Sequence, residues 1–137
     1  MAGTLAIDLG STTTVVAHQG ANDPNAQLLP LPPFSNADPV AIPSLIWLAD
    51  PGSDHPLIGR QVVEGGLLER EGPQLQRDFK RLIAQPSRES SDSWLTPEQS
   101  GRLLLEQIWS HLPASVSPDR LVLTAPCLLY TSPSPRD

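Results

Sequence analysis

The chain has 137 residues, 39% of them apolar and 18% charged, with a formal net charge of −6 at pH 7. That length suits one modest domain with its own core, and an acidic balance without any cluster of Lys and Arg argues against a nucleic-acid or acidic-membrane footprint. No apolar run approaches the roughly 20 residues that span a bilayer, and the N-terminus lacks a basic region and carries Asp8 within its short apolar segment, so no signal peptide is read and a cytoplasmic protein is expected.

Leu5, Ile7 and Leu9 alternate with Ala6 and Asp8, followed by Gly10, four hydroxyl residues and Val15-Val16-Ala17. This predicts strand, tight turn, strand. The stretch from Asn22 to Pro43 is rich in proline and has no period, which predicts a loop. "SLIWLAD", Ser44 to Asp50, reads as a short strand, and "DPGSDHP" then turns the chain. From Gly59 the period changes: Val62, Val63, Leu67 and Leu68 predict a helix that Gly72-Pro73 stops. Leu75, Phe79, Leu82 and Ile83 continue in a second helical pattern, and "QPSRESSDS" is a polar loop.

"TPEQ", Thr96 to Gln99, has the makings of a helix start. Thr96 can cap, Pro97 suits the first helical position and Gln99 can reach back as a capping-box partner. Leu104, Leu105, Ile108, Trp109 and Leu112 then form one apolar stripe, and "RLVLTAP", Arg120 to Pro126, reads as a final strand. Strands and helices alternate, so the class is α/β or α+β. Trp47, Trp94 and Trp109 read as packing residues, and the acidic residues at 64, 69 and 71 as an exposed helix face. His18, His55 and His111 are too scattered to form a metal site.

The chemistry concentrates in "IDLGSTTT". Asp8 interrupts an apolar strand, where an unpaired carboxylate costs several kcal/mol, so a compensating partner is expected. Gly10 permits a bend that a side chain would obstruct. Ser11, Thr12 and Thr13 offer hydroxyls and successive backbone N–H groups, the equipment of an anion-binding turn. A carboxylate beside a phosphate repels it unless a hydrated Mg²⁺ lies between them, and Mg²⁺ keeps waters and takes few protein ligands. The pattern therefore points to a Mg²⁺-nucleotide on a β-hairpin, against the alternative of a plain hairpin with a polar turn. The GxxxxGK[ST] pattern of a Walker loop is absent. Lys80, read from its neighbours alone, is a solvated lysine paired with Asp78 or another nearby residue.

Taken with "DFKRLIA", Asp78 to Ala84, the hairpin resembles the start of the nucleotide-binding domain of the DnaK-type, seventy-kilodalton heat-shock chaperones. "IPSLIWL", "LIGRQVVEG" and "LVLTAP" are similar to further family segments in the same order, so the resemblance runs from Leu5 to Pro126. It implies an actin-like ATPase (ribonuclease-H-like) α/β fold, of which residues 1–126 would form an incomplete first lobe. It implies ATP or ADP with Mg²⁺ as cofactors, Asp8 orienting the metal through water, and Gly10, Ser11, Thr12 and Thr13 wrapping the phosphates. Lys80 would be the catalytic lysine near the γ-phosphate and the attacking water, which suits phosphoryl transfer by positioning and charge neutralisation. Arg81 falls outside that role, as a surface or ion-pair residue. In a full-length parent the resemblance implies unfolded client peptides and co-chaperones as partners.

The sequence departs from the family at Ser11, Thr13 and Ala84, and in the proline-rich segment, which marks a divergent relative and speaks against a conventional chaperone cycle. Other actin-like proteins also open with a "DxGSTT" pattern. A dehydratase activator would place a lysine after the threonines, where Val15 stands, and would carry cluster cysteines; a sugar kinase does not imply "FKRLI" at this spacing. A nucleotide-binding scaffold without turnover is the non-enzymatic alternative.

The last eleven residues, "CLLYTSPSPRD", hold the only Cys and the only Tyr of the chain, so no internal disulfide framework exists. The string resembles a translated sequencing adapter. Residues 127–137 are therefore expected to be a non-native tail, with the natural sequence stopping at Pro126 partway through a gene. On that reading the 137-residue product is expected neither to hydrolyse ATP nor to bind clients.

Overall fold

Alternation decides the first element. In β1 (Gly3–Leu9) the side chains of Leu5, Ile7 and Leu9 are buried, while Thr4, Ala6 and Asp8 turn to the other face, the two-residue period that a strand imposes. β1 pairs antiparallel with β2 (Thr13–Gly20), from Gly3 opposite Gly20 to Leu9 opposite Thr14. The predicted hairpin is present. The computed structural model describes residues 3–52, 55–70, 72–82 and 94–124.

The segment from Asn22 to Pro43 is more than the predicted loop. It contains β3 (Gln27–Leu28), β4 (Asn36–Ala37) and β5 (Val40–Pro43). Between β3 and β4 the chain closes on itself: the Leu31 N–H donates to Ser35 Oγ at 2.9 Å, and the N–H groups of Phe34 and Ser35 both donate to the Leu31 carbonyl at 2.8 Å. Leu31, Phe34, Ala41 and Ile42 are buried. Prolines shorten the ladders here because they lack an N–H. They do not stop the apolar side chains between them from leaving water.

Within Ser44–Asp50 only β6 (Ile46–Trp47) is strand, and it lies between β7 (Leu57–Ile58) and β8 (Leu75–Gln76) in a three-stranded sheet. Asp50 closes the following turn by accepting the Gly52 N–H at 3.0 Å. Gly59 has φ 59°, and a Cβ there would stand 2.7 Å from both Ile42 Cγ2 and the Phe34 carbonyl oxygen. Only glycine meets both demands.

The single helix expected from Gly59 to Gly72 is two short pieces. α1 (Arg60–Glu64) ends at Gly65, Gly66 turns left-handed with φ 68°, and a 3-10 turn follows over Leu67–Glu69. Two consecutive glycines interrupt a periodicity that the apolar pattern alone reads as continuous. Val62 is buried and Val63 exposed, and Glu64 and Glu69 are exposed as expected.

The second helical pattern also starts later than its period predicts. Leu75 belongs to β8, Asp78 takes a left-handed φ of 55°, and α2 spans Phe79–Leu82. Asp is among the few non-glycine residues that adopt this conformation readily. Ile83, Ala84, the polar loop 85–93 and Glu71 lie outside the described residues, as do the side chains of Arg81 and Leu82.

α3 (Pro97–Ser110) begins as its sequence predicts. Thr96 Oγ1 accepts the Gln99 N–H at 3.0 Å, and Gln99 Oε1 accepts the Thr96 N–H at 2.8 Å. Its buried line runs through Pro97, Ser100, Gly101, Leu104 and Ile108, rotated from the predicted stripe. Trp109, read as packing, is 51% exposed. The small Ser100 and Gly101 occupy the inward face, which carries Trp109 toward the flank. Trp94 and Leu112 pack against the core from partly buried positions, and His111 meets the Phe34 ring edge-on at 4.6 Å.

β9 (Arg120–Thr124) runs parallel to β1, with Ile7 level with Leu123. The larger sheet is ordered β4-β5-β2-β1-β9, with β3 also on β2. The class is mixed α/β. Ala125, Pro126 and the tail 127–137 lie outside the described residues, and with them the proposed boundary at 126. Among the described residues, no helix is long and apolar enough to cross a membrane.

Candidate functional site

The turn between β1 and β2 brings five of the six sequence-predicted site residues together: Asp8 at the end of β1, then Gly10, Ser11, Thr12 and Thr13. Gly10 is required by space rather than by φ. A Cβ built on it would collide with the carbonyl oxygen of Thr13 across the turn. Any side chain there would push the two strands apart, so the turn is closed only because residue 10 is glycine.

Asp8 corrects an expectation. The sequence pattern predicts a carboxylate buried in an apolar strand and in need of compensation. In β1 it occupies the outward face and is exposed, so the burial penalty does not apply. It has no side-chain partner among the described residues. Thr124 of β9 stands level with it, also exposed, and register neighbours share a face of the sheet.

The hydroxyls divide into two sets. Thr12 and Thr13 are exposed and Ser11 half-buried, and none of the three side chains is engaged elsewhere among the described residues. The backbone N–H groups of Ser11 and Thr12 likewise donate to no protein acceptor among those residues. Thr14 is different: it is 0% exposed, and its Oγ1 lies 2.8 Å from Ser44 Oγ. Ser44, 2% exposed, also donates from its Oγ to the Gly10 carbonyl at 2.9 Å. Its backbone N–H donates to the Thr12 carbonyl at 2.9 Å.

Thr14 and Ser44 were not singled out as site residues from the sequence. The signal that could have found Thr14 is the alternation of β2, which carries every second residue from Val16 inward. Ser44 has no comparable local signal, because its partners lie 30 and 34 positions away.

Lys80 comes from another element, the half-buried second residue of α2. Phe79 beside it is buried in the core and anchors that turn. Among the described residues Lys80 has no ion-pair or hydrogen-bond partner, neither with Asp78 nor with the hairpin. The structure therefore supplies the hairpin as a formed unit and Lys80 as a separate cation.

Among the described residues, no group of three or more His, Cys, Asp and Glu side chains is placed to hold a metal ion. One exposed, unpaired carboxylate fits a different arrangement, a Mg²⁺ that keeps its water shell and touches the protein sparingly. Asp8 would be the residue to hold it.

No family model matches the chain, and no curated protein matches it at a significant level.

Proposed function

We propose that the β1–β2 turn is a phosphate-binding turn for a Mg²⁺-nucleotide, in an ATP-binding and ATP-hydrolysing domain of the actin-like, DnaK-type kind. The observation that carries this reading is the set of donors on one turn that are unengaged among the described residues: the N–H groups of Ser11 and Thr12 and the hydroxyls of Ser11, Thr12 and Thr13. Successive free N–H groups on a tight turn favour an anion, and extra hydroxyls suit the several oxygens of a polyphosphate. A plain hairpin turn has no need of so many.

Asp8, two residues before the close approach at Gly10, would orient the water shell of Mg²⁺. The bound metal would neutralise phosphate charge, while Gly10 to Thr13 fix the position of the β- and γ-oxygens. Lys80 would add a cation near the γ-phosphate, the step in which charge neutralisation counts most. The strand order, with the hairpin between the antiparallel β5 and the parallel β9, supports an actin-like lobe as its scaffold. Client peptides and co-chaperones belong to the same proposal.

Calorimetric titration of the chain with ATP tests it. Binding is expected in Mg²⁺, weakened on addition of EDTA and weakened again in Asp8→Asn. A folded chain that does not bind ATP in Mg²⁺ overturns the reading. The second reading is binding without turnover, since among the described residues no hydrogen bond or ion pair joins Lys80 to the hairpin. In purified full-length parent protein, ATP binding with no hydrolysis, unchanged by Lys80→Ala, selects the scaffold over the ATPase.

A further inference from the structure

We infer that Ser44 is the positioning residue of the phosphate turn, an inference that rests on the nucleotide-binding reading of the hairpin. Ser44 touches the turn at three points. Its Oγ donates to the Gly10 carbonyl, its N–H donates to the Thr12 carbonyl, and its Oγ meets Thr14 Oγ1. A hydroxyl has one proton. Since Ser44 gives its proton to Gly10, Thr14 donates to Ser44, and the chain of bonds runs Thr14 to Ser44 to the Gly10 carbonyl.

The consequence follows from the planar trans peptide. The Gly10 carbonyl and the Ser11 N–H belong to one peptide unit and point in opposite directions. Holding that carbonyl toward Ser44 turns the Ser11 N–H away from it, out of the buried side of the turn. The same constraint acts on the next bonded unit, where the Thr12 carbonyl faces Ser44 and the Thr13 N–H faces away. Ser44 thus draws two carbonyl oxygens, which would repel a phosphate, back from the turn surface. Of the N–H groups unengaged among the described residues, it leaves that of Ser11, which attracts a phosphate, facing the turn surface.

The position of Ser44 makes this arrangement stiff. It follows β5 directly, and β5 is tied to β2 by the pairs Thr13 with Pro43 and Thr14 with Ile42. Both hydroxyls of the relay are buried, where an intact hydrogen bond is strengthened and a lost partner is costly. Ser44 and Thr14 touch no ligand in this scheme. They act through the peptide units of the turn.

The test compares Ser44→Ala, Ser44→Thr and Thr14→Val in the full chain, with Thr96→Ala as a control that weakens a distant helix cap. Two quantities are read: Mg·ADP affinity by calorimetry, and the amide resonances and hydrogen exchange of Ser11 to Thr13 without nucleotide. Ser44→Ala and Thr14→Val are expected to shift those amides and to weaken Mg·ADP by about tenfold, the size of one buried hydrogen bond. Ser44→Thr, which keeps the hydroxyl, is expected to restore affinity to within about twofold of the unaltered chain. Thr96→Ala is expected to lower stability and leave both readouts unchanged.

Equal losses in Ser44→Ala and Thr96→Ala would reduce Ser44 to a general stability residue and overturn the inference. Unmoved turn amides in both Ser44→Ala and Thr14→Val would overturn it as well. An unaltered chain that fails to bind Mg·ADP overturns the nucleotide reading instead, and the amide measurement then still decides whether Ser44 sets the turn.

Discussion

The two sides of the β1–β2 hairpin are built differently. On the β5 side Thr14, Ser44 and the Gly10 carbonyl form one buried relay, and Ala41 and Ile42 are buried beside it. On the β9 side the ladder to β1 is continuous, but Leu121 is 53% and Val122 50% exposed. A groove of about 450 Å³ lies there between α3 and the sheet, lined by Ile7, Leu105, Trp109, Leu121 and Leu123 with Arg102 and Glu106 at its polar positions. Backbone pairing alone makes a strand. Buried side chains and satisfied polar groups make it rigid, and the candidate phosphate turn sits on the rigid side.

The strongest way to break this contrast is truncation on each side. Ile42→Ala removes a buried side chain between β2 and Gly59 and is expected to cost about 2–5 kcal/mol in denaturant unfolding. Leu121→Ala, on a half-exposed position, is expected to cost less than about 1 kcal/mol. Equal costs would show that β9 is as firmly packed as β5.

Gly59→Ala sharpens the same side by backbone rather than by burial. A methyl group would meet Ile42 and the Phe34 carbonyl, at a φ that L-residues avoid. A loss of about 1–3 kcal/mol is expected. The paired measurement is hydrogen exchange, in which the β2–β5 amides should lose protection before those of β1 and β9. Thr96→Ala tests a feature remote from both sides. Loss of the capping box should lower stability by about 1 kcal/mol without changing exchange in the hairpin.

The parts of the fold legible in the sequence are those whose causes are local. The β1 alternation, the Gly10 turn and the Thr96 cap each depend on residues within a few positions of one another, and each forms where its pattern predicts. Legibility fails where the cause is distant. Proline content hides Leu31, Phe34 and Ile42, because their burial depends on partners far along the chain. Gly65-Gly66 divides a helix whose apolar period runs on through it, and Ser100 and Gly101 rotate α3 so that Trp109 emerges. In the candidate site the exposed donors are legible, whereas the Thr14–Ser44 relay is not, since it joins residues 30 positions apart. Asp8 shows the reverse error: its place in an apolar strand is clear, but only the pleat says which way it faces.

The smallest effect on stability belongs to the β9 side. "RLVLT" presents Leu121 and Val122 to solvent on a strand whose outer edge has no partner among the described residues. Unpaired strand edges carrying apolar side chains template association, and a lysine on such an edge opposes it by charge. Leu121→Lys is therefore expected to leave unfolding free energy within about 0.5 kcal/mol of the unaltered chain. Its effect should appear in solubility and in the concentration dependence of light scattering, both improved. The comparison is sharpest in the mirror experiment, because Ile42→Lys would bury an unpaired charge beside the Thr14–Ser44 relay and unfold the hairpin that Leu121→Lys leaves intact. If Leu121→Lys also unfolds the chain, the β9 flank is core, and the division between a rigid and an exposed side of the hairpin fails.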